Sequence, residues 1–171
     1  MHYGMSTCYI LWNIRFQSQS CFRLMPMHIK FNPYQYEELN SRQQEAYNFQ
    51  KVSAVLADYG FVTIRLSSDW QVADFIAQEV DGKFLKVQLK GRLTLDKKYE
   101  GKDLYICFPT ARRRRYIYPH DELMNQILGR GLLKGTKSWD TKGIYHYPGV
   151  PKDLETLLDR YRLEEVLPSE N

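Results

Sequence analysis

From Asn40 onward the chain reads as a succession of short hydrophobic patterns with polar punctuation. Ala46, Phe49, Val52, Ser53, Leu56 and Tyr59 recur at the spacing of one helical face. Asn40-Ser41 stands ahead of them as a cap, Gln44 falls three residues after Ser41 at the capping-box position, and Gly60 follows as a natural stop. The pattern predicts a helix over 42–59. The β-rich run 61–66 predicts a strand, and the polar turn Ser67-Ser68-Asp69 leads to a second strand over 74–80. Asp81-Gly82 is a two-residue hairpin turn, so 83–90 is the return strand. A basic loop over 91–102 precedes a strand at 104–109 and another at 116–118, which Pro119 ends. His120-Asp121-Glu122 opens a short helix with acids in its first turn, ending near Gly129. Residues 143–147 read as a last strand, and 151–163 as an amphipathic helix with Leu154, Leu157, Leu158 and Tyr161 on one face. This order predicts an α/β fold, a mixed β-sheet flanked by helices.

Residues 1–26 differ from everything after them: aromatics, two cysteines and polar residues mix without a period, and no acid occurs. They read as an extension, either disordered or upstream of a natural start at Met27, with 27–171 as one domain. The apolar run Tyr9-Ile10-Leu11-Trp12 is too short for a signal-peptide core and lacks a basic region ahead of it. No stretch approaches the roughly 18 consecutive apolar residues of a membrane span. Cys8, Cys21 and Cys107 form no C-x-x-C pair, and the four histidines are scattered, so neither a disulfide framework nor a zinc knuckle follows. A reducing compartment, the cytoplasm, fits this usage.

Charge changes the picture through its distribution. The net charge of +4 is modest, yet residues 83–115 carry eleven basic side chains against three acidic ones, leaving the rest of the chain net negative. Such a dipole favours an anionic partner. The run Arg112–Arg115 leads into Tyr116 and Tyr118, a mixture of guanidinium and aromatic groups suited to phosphates and bases. It also reads as a solvated turn between strands or a nuclear-localisation-like coincidence. Trp70 reads either as a stacking residue or as a cover for the end of the core.

The return strand holds the candidate chemistry. With a period of two, Lys86, Gln88 and Lys90 point to one face and Leu85, Val87 and Leu89 to the other. Folding at Asp81-Gly82 brings Asp74 near the end of the strand opposite Gln88 and Lys90. Glu45 shares the helix face of Phe49, Val52 and Leu56, which predicts an inward side chain.

An acid on the first helix, an Asp at the start of the second strand and Gln-x-Lys on the third resemble the PD-(D/E)xK, or restriction-endonuclease-like, nuclease superfamily. The resemblance spans about residues 41–110 and is similar to Holliday-junction resolvases and to group I intron homing endonucleases that carry Gln in place of the acid. Stretches 41–60 and 87–109 also resemble a family of small uncharacterised bacterial proteins. The resemblance implies an αβββαβ core and Mg²⁺- or Mn²⁺-dependent hydrolysis of DNA. In that scheme Asp74, Gln88 and the Leu89 carbonyl hold the metal, Lys90 orients the attacking water or stabilises developing charge, and Glu45 holds a metal-bound water. Lys86, Arg92, Lys97, Lys98 and Arg112, Arg113, Arg114 and Arg115 are the expected nucleic-acid contacts. Cutting both strands would call for a homodimer or higher oligomer. Gln88 departs from the family's acid and lowers the site's negative charge. An inactive nucleic-acid-binding module on the same fold therefore stands beside the enzyme, as does a partner-binding accessory protein of a mobile element or defence system.

Overall fold

The structure, a computed structural model, describes residues 30–70, 72–110 and 114–164, with the side chains of 68–70 left out. The expectations for residues 1–26, for Arg112 and Arg113, and for the Trp70 side chain lie outside the described residues. The chain divides into two units, Met1–Tyr34 and Gln35–Asn171. Of the first, residues 30–34 form no regular element. The elements below belong to the second.

Helix α1 runs Ser41–Asp58. Its cap is Asn40 rather than Ser41: the Asn40 side chain accepts from the Gln43 N–H at 3.0 Å, and the Gln43 side-chain oxygen Oε1 accepts from the Asn40 N–H at 3.0 Å. The capping box is thus shifted one residue toward the N-terminus, and Gln44 is released to donate to the Tyr36 carbonyl. Strand β1 (Phe61–Trp70) pairs antiparallel with β2 (Ala73–Glu79), and β2 with β3 (Phe84–Leu89). The β2–β3 turn carries Gly82 at a φ of 95°, the positive value that makes glycine the natural residue there.

Between β3 and its parallel neighbour β5 (Leu104–Pro109) the chain is not the loop that its lysines suggest. It forms β4 (Thr94–Asp96) and a single 3₁₀ turn, Lys97–Tyr99. Residues Leu93 to Asp96 are all buried, so apolar and capping side chains hold this stretch inside while its lysines project outward. β5 pairs antiparallel with β6 (Arg115–Pro119), which leads directly into α2 (His120–Gly129). Helix α3 (Lys137–Lys142), which no periodicity announced, precedes β7 (Ile144–His146). β7 pairs antiparallel with β4 as a two-stranded ribbon. The C-terminal helix α4 is shorter than its leucine stripe suggests, Lys152–Leu158. A 3₁₀ turn follows, and β8 (Arg162–Leu163) then pairs with β6. The main sheet has six strands in the order β1-β2-β3-β5-β6-β8. The architecture is mixed α/β, a mixed sheet flanked by helices. No described helix is long and apolar enough to cross a membrane.

Alternate strand residues feed two cores. Val52 and Leu56 of α1 pack on Phe75, Ala77, Val87 and Cys107. Burial pushes the Cys107 thiol up to about 12, which makes it a core group rather than a nucleophile. The opposite face packs Leu104, Ile106, Phe108 and Tyr118 against α2, α4 and the β4–β7 ribbon. There the fully buried Tyr118 hydroxyl donates to the Thr94 carbonyl at 2.7 Å and ties the ribbon to the sheet. Tyr118→Phe leaves that carbonyl without its partner and is expected to lower unfolding free energy by about 1–2 kcal/mol in urea titration.

Candidate functional site

The β2–β3 ladder pairs Phe75 with Val87 and Ile76 with Lys86, so one further step places Asp74 opposite Gln88. Phe75 and Val87 face α1. Asp74, Gln88, Lys86 and Lys90 therefore belong to the other face, as the alternation predicts. The Asp74 carboxylate oxygen Oδ2 accepts from Gln88 Nε2 at 2.5 Å and from the Leu89 backbone N–H at 2.7 Å. Because a carboxylate only accepts, the amide nitrogen is the end of Gln88 that meets it. Asp74, Gln88 and Leu89 thus converge on one point. The carboxylate also has a structural role, since it takes a backbone N–H just past the last β2–β3 pair.

Lys90 continues the same face. Its backbone N–H donates to the Cys107 carbonyl at 2.8 Å, extending the parallel pairing of β3 with β5. Its ammonium lies over the ring of Tyr99, 5.3 Å from the centroid. Lys98 covers the same ring at 4.9 Å and pairs with the buried Asp96 at 3.3 Å. Tyr99 is itself only 1% exposed and meets His120 edge-on, with centroids 5.5 Å apart. Two ammonium groups on one buried ring form a positioning device built on the π-face. Its centre follows two lysines in a segment that reads as a charged loop, so sequence reasoning missed it; the buried Leu-Thr-Leu-Asp run just before was the available signal.

Glu45 departs from its expected orientation. Its side chain is 52% exposed and pairs with Arg65 at 2.5 Å, while the Arg65 guanidinium lies 5.5 Å from the centroid of Phe49. Arg65 pairs across the ladder with Phe75 and so lies on the α1 face, opposite the face of Asp74. Glu45 sits one turn before Phe49, and its partner Arg65 belongs to β1, the edge strand of the sheet. Glu45 and Asp74 nonetheless line one open cleft of about 250 Å³, together with Arg42, Arg65 and Ser67.

The expected phosphate contacts separate into two groups. Lys86 is turned inward, its side chain 14% exposed, with Nζ donating to the Lys102 carbonyl at 2.5 Å and lying 3.9 Å from Asp103. Lys98 is held by Asp96, and Lys97 lies over Trp139 at 4.9 Å. Arg92 and Arg114 instead line an open cavity beyond Lys90. Arg115 is a ladder residue of β6, paired with Pro109 and Leu163. His120 is fully buried; Nδ1 lies 2.9 Å from Asp121, and Nε2 accepts from the Asp96 N–H at 3.3 Å. Both ring nitrogens are thus occupied internally, as befits a helix-start pair rather than a catalytic dyad.

Among the described residues no three His, Cys, Asp or Glu side chains cluster as a metal centre. Asp74 offers one carboxylate, and the Gln88 amide and the Leu89 carbonyl can add only neutral oxygens, the amide oxygen once the amide turns because Nε2 now faces Asp74, so the donor set is weakly charged. That composition suits a hydrated Mg²⁺ or Mn²⁺, which keeps several waters and shares its ligation with a phosphate. It does not suit a dehydrated structural ion.

No family model and no curated protein matches the chain. Among solved structures, the bacterial homing endonuclease I-Ssp6803I is similar at a TM-score of 0.39 and 18% identity, over 50% of this chain and 69% of that one. The Holliday junction resolvase Hjc of Archaeoglobus fulgidus is similar at a TM-score of 0.32 and 18% identity, over 41% of this chain and 74% of that one.

Gln88→Glu sets two carboxylates in contact and exchanges a donor for an acceptor. Without divalent ions the variant should lose about 1–2 kcal/mol of stability. Mn²⁺ should restore its melting temperature while moving that of the parent little, as read by thermal denaturation with and without EDTA.

Proposed function

We propose that the chain is a divalent-cation-dependent DNA phosphodiesterase of the PD-(D/E)xK type, with its site at Asp74, Gln88, Leu89 and Lys90. The convergence of Asp74 on Gln88 and on the Leu89 backbone, at the start of β2 and the end of β3, carries this reading. The sequence motif supports it, as does the excess of basic residues between 83 and 115.

Asp74 and the Leu89 carbonyl would hold Mg²⁺ or Mn²⁺, joined by the Gln88 amide oxygen once that amide turns, since its nitrogen now meets Asp74. When bound, that ion supplies Lewis-acid polarisation of the scissile phosphate and a water of lowered pKa. Asp74 supplies the anionic ligand, and the contact with Gln88 and Leu89 fixes its rotamer before substrate arrives. Lys90 brings a cation to the phosphate's developing charge; its seat over Tyr99 holds the ammonium without neutralising it, as a carboxylate partner would. Glu45 acts from the rim of the cleft, where its pairing with Arg65 leaves it to orient solvent rather than to bind the ion directly.

A second reading is a DNA-binding module on the same fold that does not cleave. One observation favours it: Asp74 Oδ2 already accepts from two donors, so the carboxylate is also a strand-pairing group. One experiment separates the two. Supercoiled, branched and single-stranded DNA are incubated with the protein in Mg²⁺ and Mn²⁺. The enzyme reading expects cleavage that EDTA abolishes and that Asp74→Ala and Lys90→Ala each reduce at least 100-fold. Salt-dependent binding without metal and without cleavage, unchanged by Asp74→Ala, supports the module and sinks the enzyme.

A further inference from the structure

A separate cavity of about 280 Å³ opens at the same end of the sheet as Lys90. Gly91 and Arg92 follow β3, Pro109 and Thr110 close the parallel β5, and Arg114 stands just before the antiparallel β6. Topology alone therefore gathers these positions with Asp74, Gln88 and Lys90 along one row of strand ends. The rings of Phe108 and Tyr116, stacked on each other at 5.3 Å and 17° and almost wholly buried, back the cavity as a rigid floor. Tyr147, 7% exposed, forms another part, and its hydroxyl has no hydrogen-bond partner among the described residues. Arg92, Arg114 and Glu155 are also among the lining residues, and none of the three forms an ion pair among the described residues.

We propose that this cavity receives one unstacked base of the DNA strand whose backbone passes Asp74, Gln88 and Lys90. The proposal rests on the functional reading above and adds a specificity site to it. Size is the first reason. The cavity lies just below the roughly 300–1,000 Å³ of sites for drug-sized ligands, which fits one base with part of its sugar. Chemistry is the second. The partly exposed Pro109 and Val150 give a base's flat face apolar contact, two guanidinium groups suit the flanking phosphates, and the Glu155 carboxylate accepts from an exocyclic amino group. An acidic peptide would meet Glu155 unfavourably, and a purely apolar ligand would leave the arginines desolvated without partners. Position is the third. β6 lies two strands from β3, about 10 Å at ordinary strand spacing. That span is roughly three base steps of about 3.4 Å each, so one strand can reach both places.

The test uses the full chain and three fluorescein-labelled duplexes of one sequence: fully paired, with a single unpaired adenine or cytosine, and with an unpaired abasic residue at that position. Binding is read by fluorescence anisotropy in EDTA, which keeps any cleavage out of the measurement. The base-bearing bulge is expected to bind at least tenfold more tightly than the abasic one. Gly149→Phe adds bulk at the cavity, where a Cβ would meet no atom within 4 Å. It should erase that difference while leaving affinity for the paired duplex within twofold. Arg114→Ala should narrow the difference with the same melting temperature as the parent. Equal binding of the base-bearing and abasic bulges overturns the base pocket and leaves the DNA reading standing. So does a difference that survives Gly149→Phe. Binding to none of the three duplexes also overturns the base pocket, and the cleavage experiment in Mg²⁺ and Mn²⁺ then decides the DNA reading.

Discussion

The polar face of β3 is the constraint on which the rest of the site depends. β3 lies inside the sheet, between antiparallel β2 and parallel β5, yet it carries Lys86 and Gln88, with Lys90 just beyond, on one face. Polar groups at such a position are tolerable only if each finds a partner. Lys86 donates to the Lys102 carbonyl, Gln88 donates to Asp74, and Lys90 rests on the Tyr99 ring. Two of those three partners belong to the β3–β5 connection. Its path, with Leu93, Leu95 and Tyr99 buried and Lys102 brought back over β3, is thus part of how the strand is satisfied. The third partner, Asp74, comes from the hairpin, and there the same requirement yields a carboxylate facing an amide at the end of a ladder.

This division assigns different work to the two faces of the sheet. The α1 face is a conventional apolar layer, with Val52 and Leu56 against Phe75 and Val87. Glu45 and Arg65 extend that layer at its rim, where an exposed ion pair contributes little to stability and remains available to solvent. The opposite face mixes apolar packing with the polar residues of β3, and it borders the cleft where strand ends meet. An acid on the first helix thus stands beside Asp74 without sharing its face.

Much of this was legible locally. The three-and-four spacing along α1, the Asp81-Gly82 turn and the alternation of Lys86, Gln88 and Lys90 are short-range signals, and each reports a backbone geometry that tertiary contacts then confirm. What escaped notice depends on distant partners. β4 is three residues, too short to show a period, and exists because it pairs across some fifty positions of chain with β7, itself legible as the strand over 143–147. β8 is two residues, paired with β6, and it cuts short a leucine pattern that otherwise reads as continuing helix. Glu45 has the helical phase of the buried residues, but phase does not say where a helix overruns the sheet it covers. Tyr99 lay hidden because its neighbours are lysines, although a buried aromatic is a good seat for their cations.

The same reasoning revises the meaning of the charge excess over 83–115. Counted along the chain, the segment looks like one basic surface. In the fold Lys86 and Lys98 answer to internal carbonyl and carboxylate groups, and Lys97 covers Trp139. A cation with an internal partner contributes less field to an approaching polyanion than one without. Arg92 and Arg114 stand at the strand ends, beside the cavity and next in order after Lys90. Among the described residues, Lys90, Arg92 and Arg114 form no ion pair and fall along that row, where the proposed function would bring a phosphate backbone. Alignment of charge with the strand ends, more than its total, distinguishes a path for a nucleic-acid strand from a merely basic protein surface.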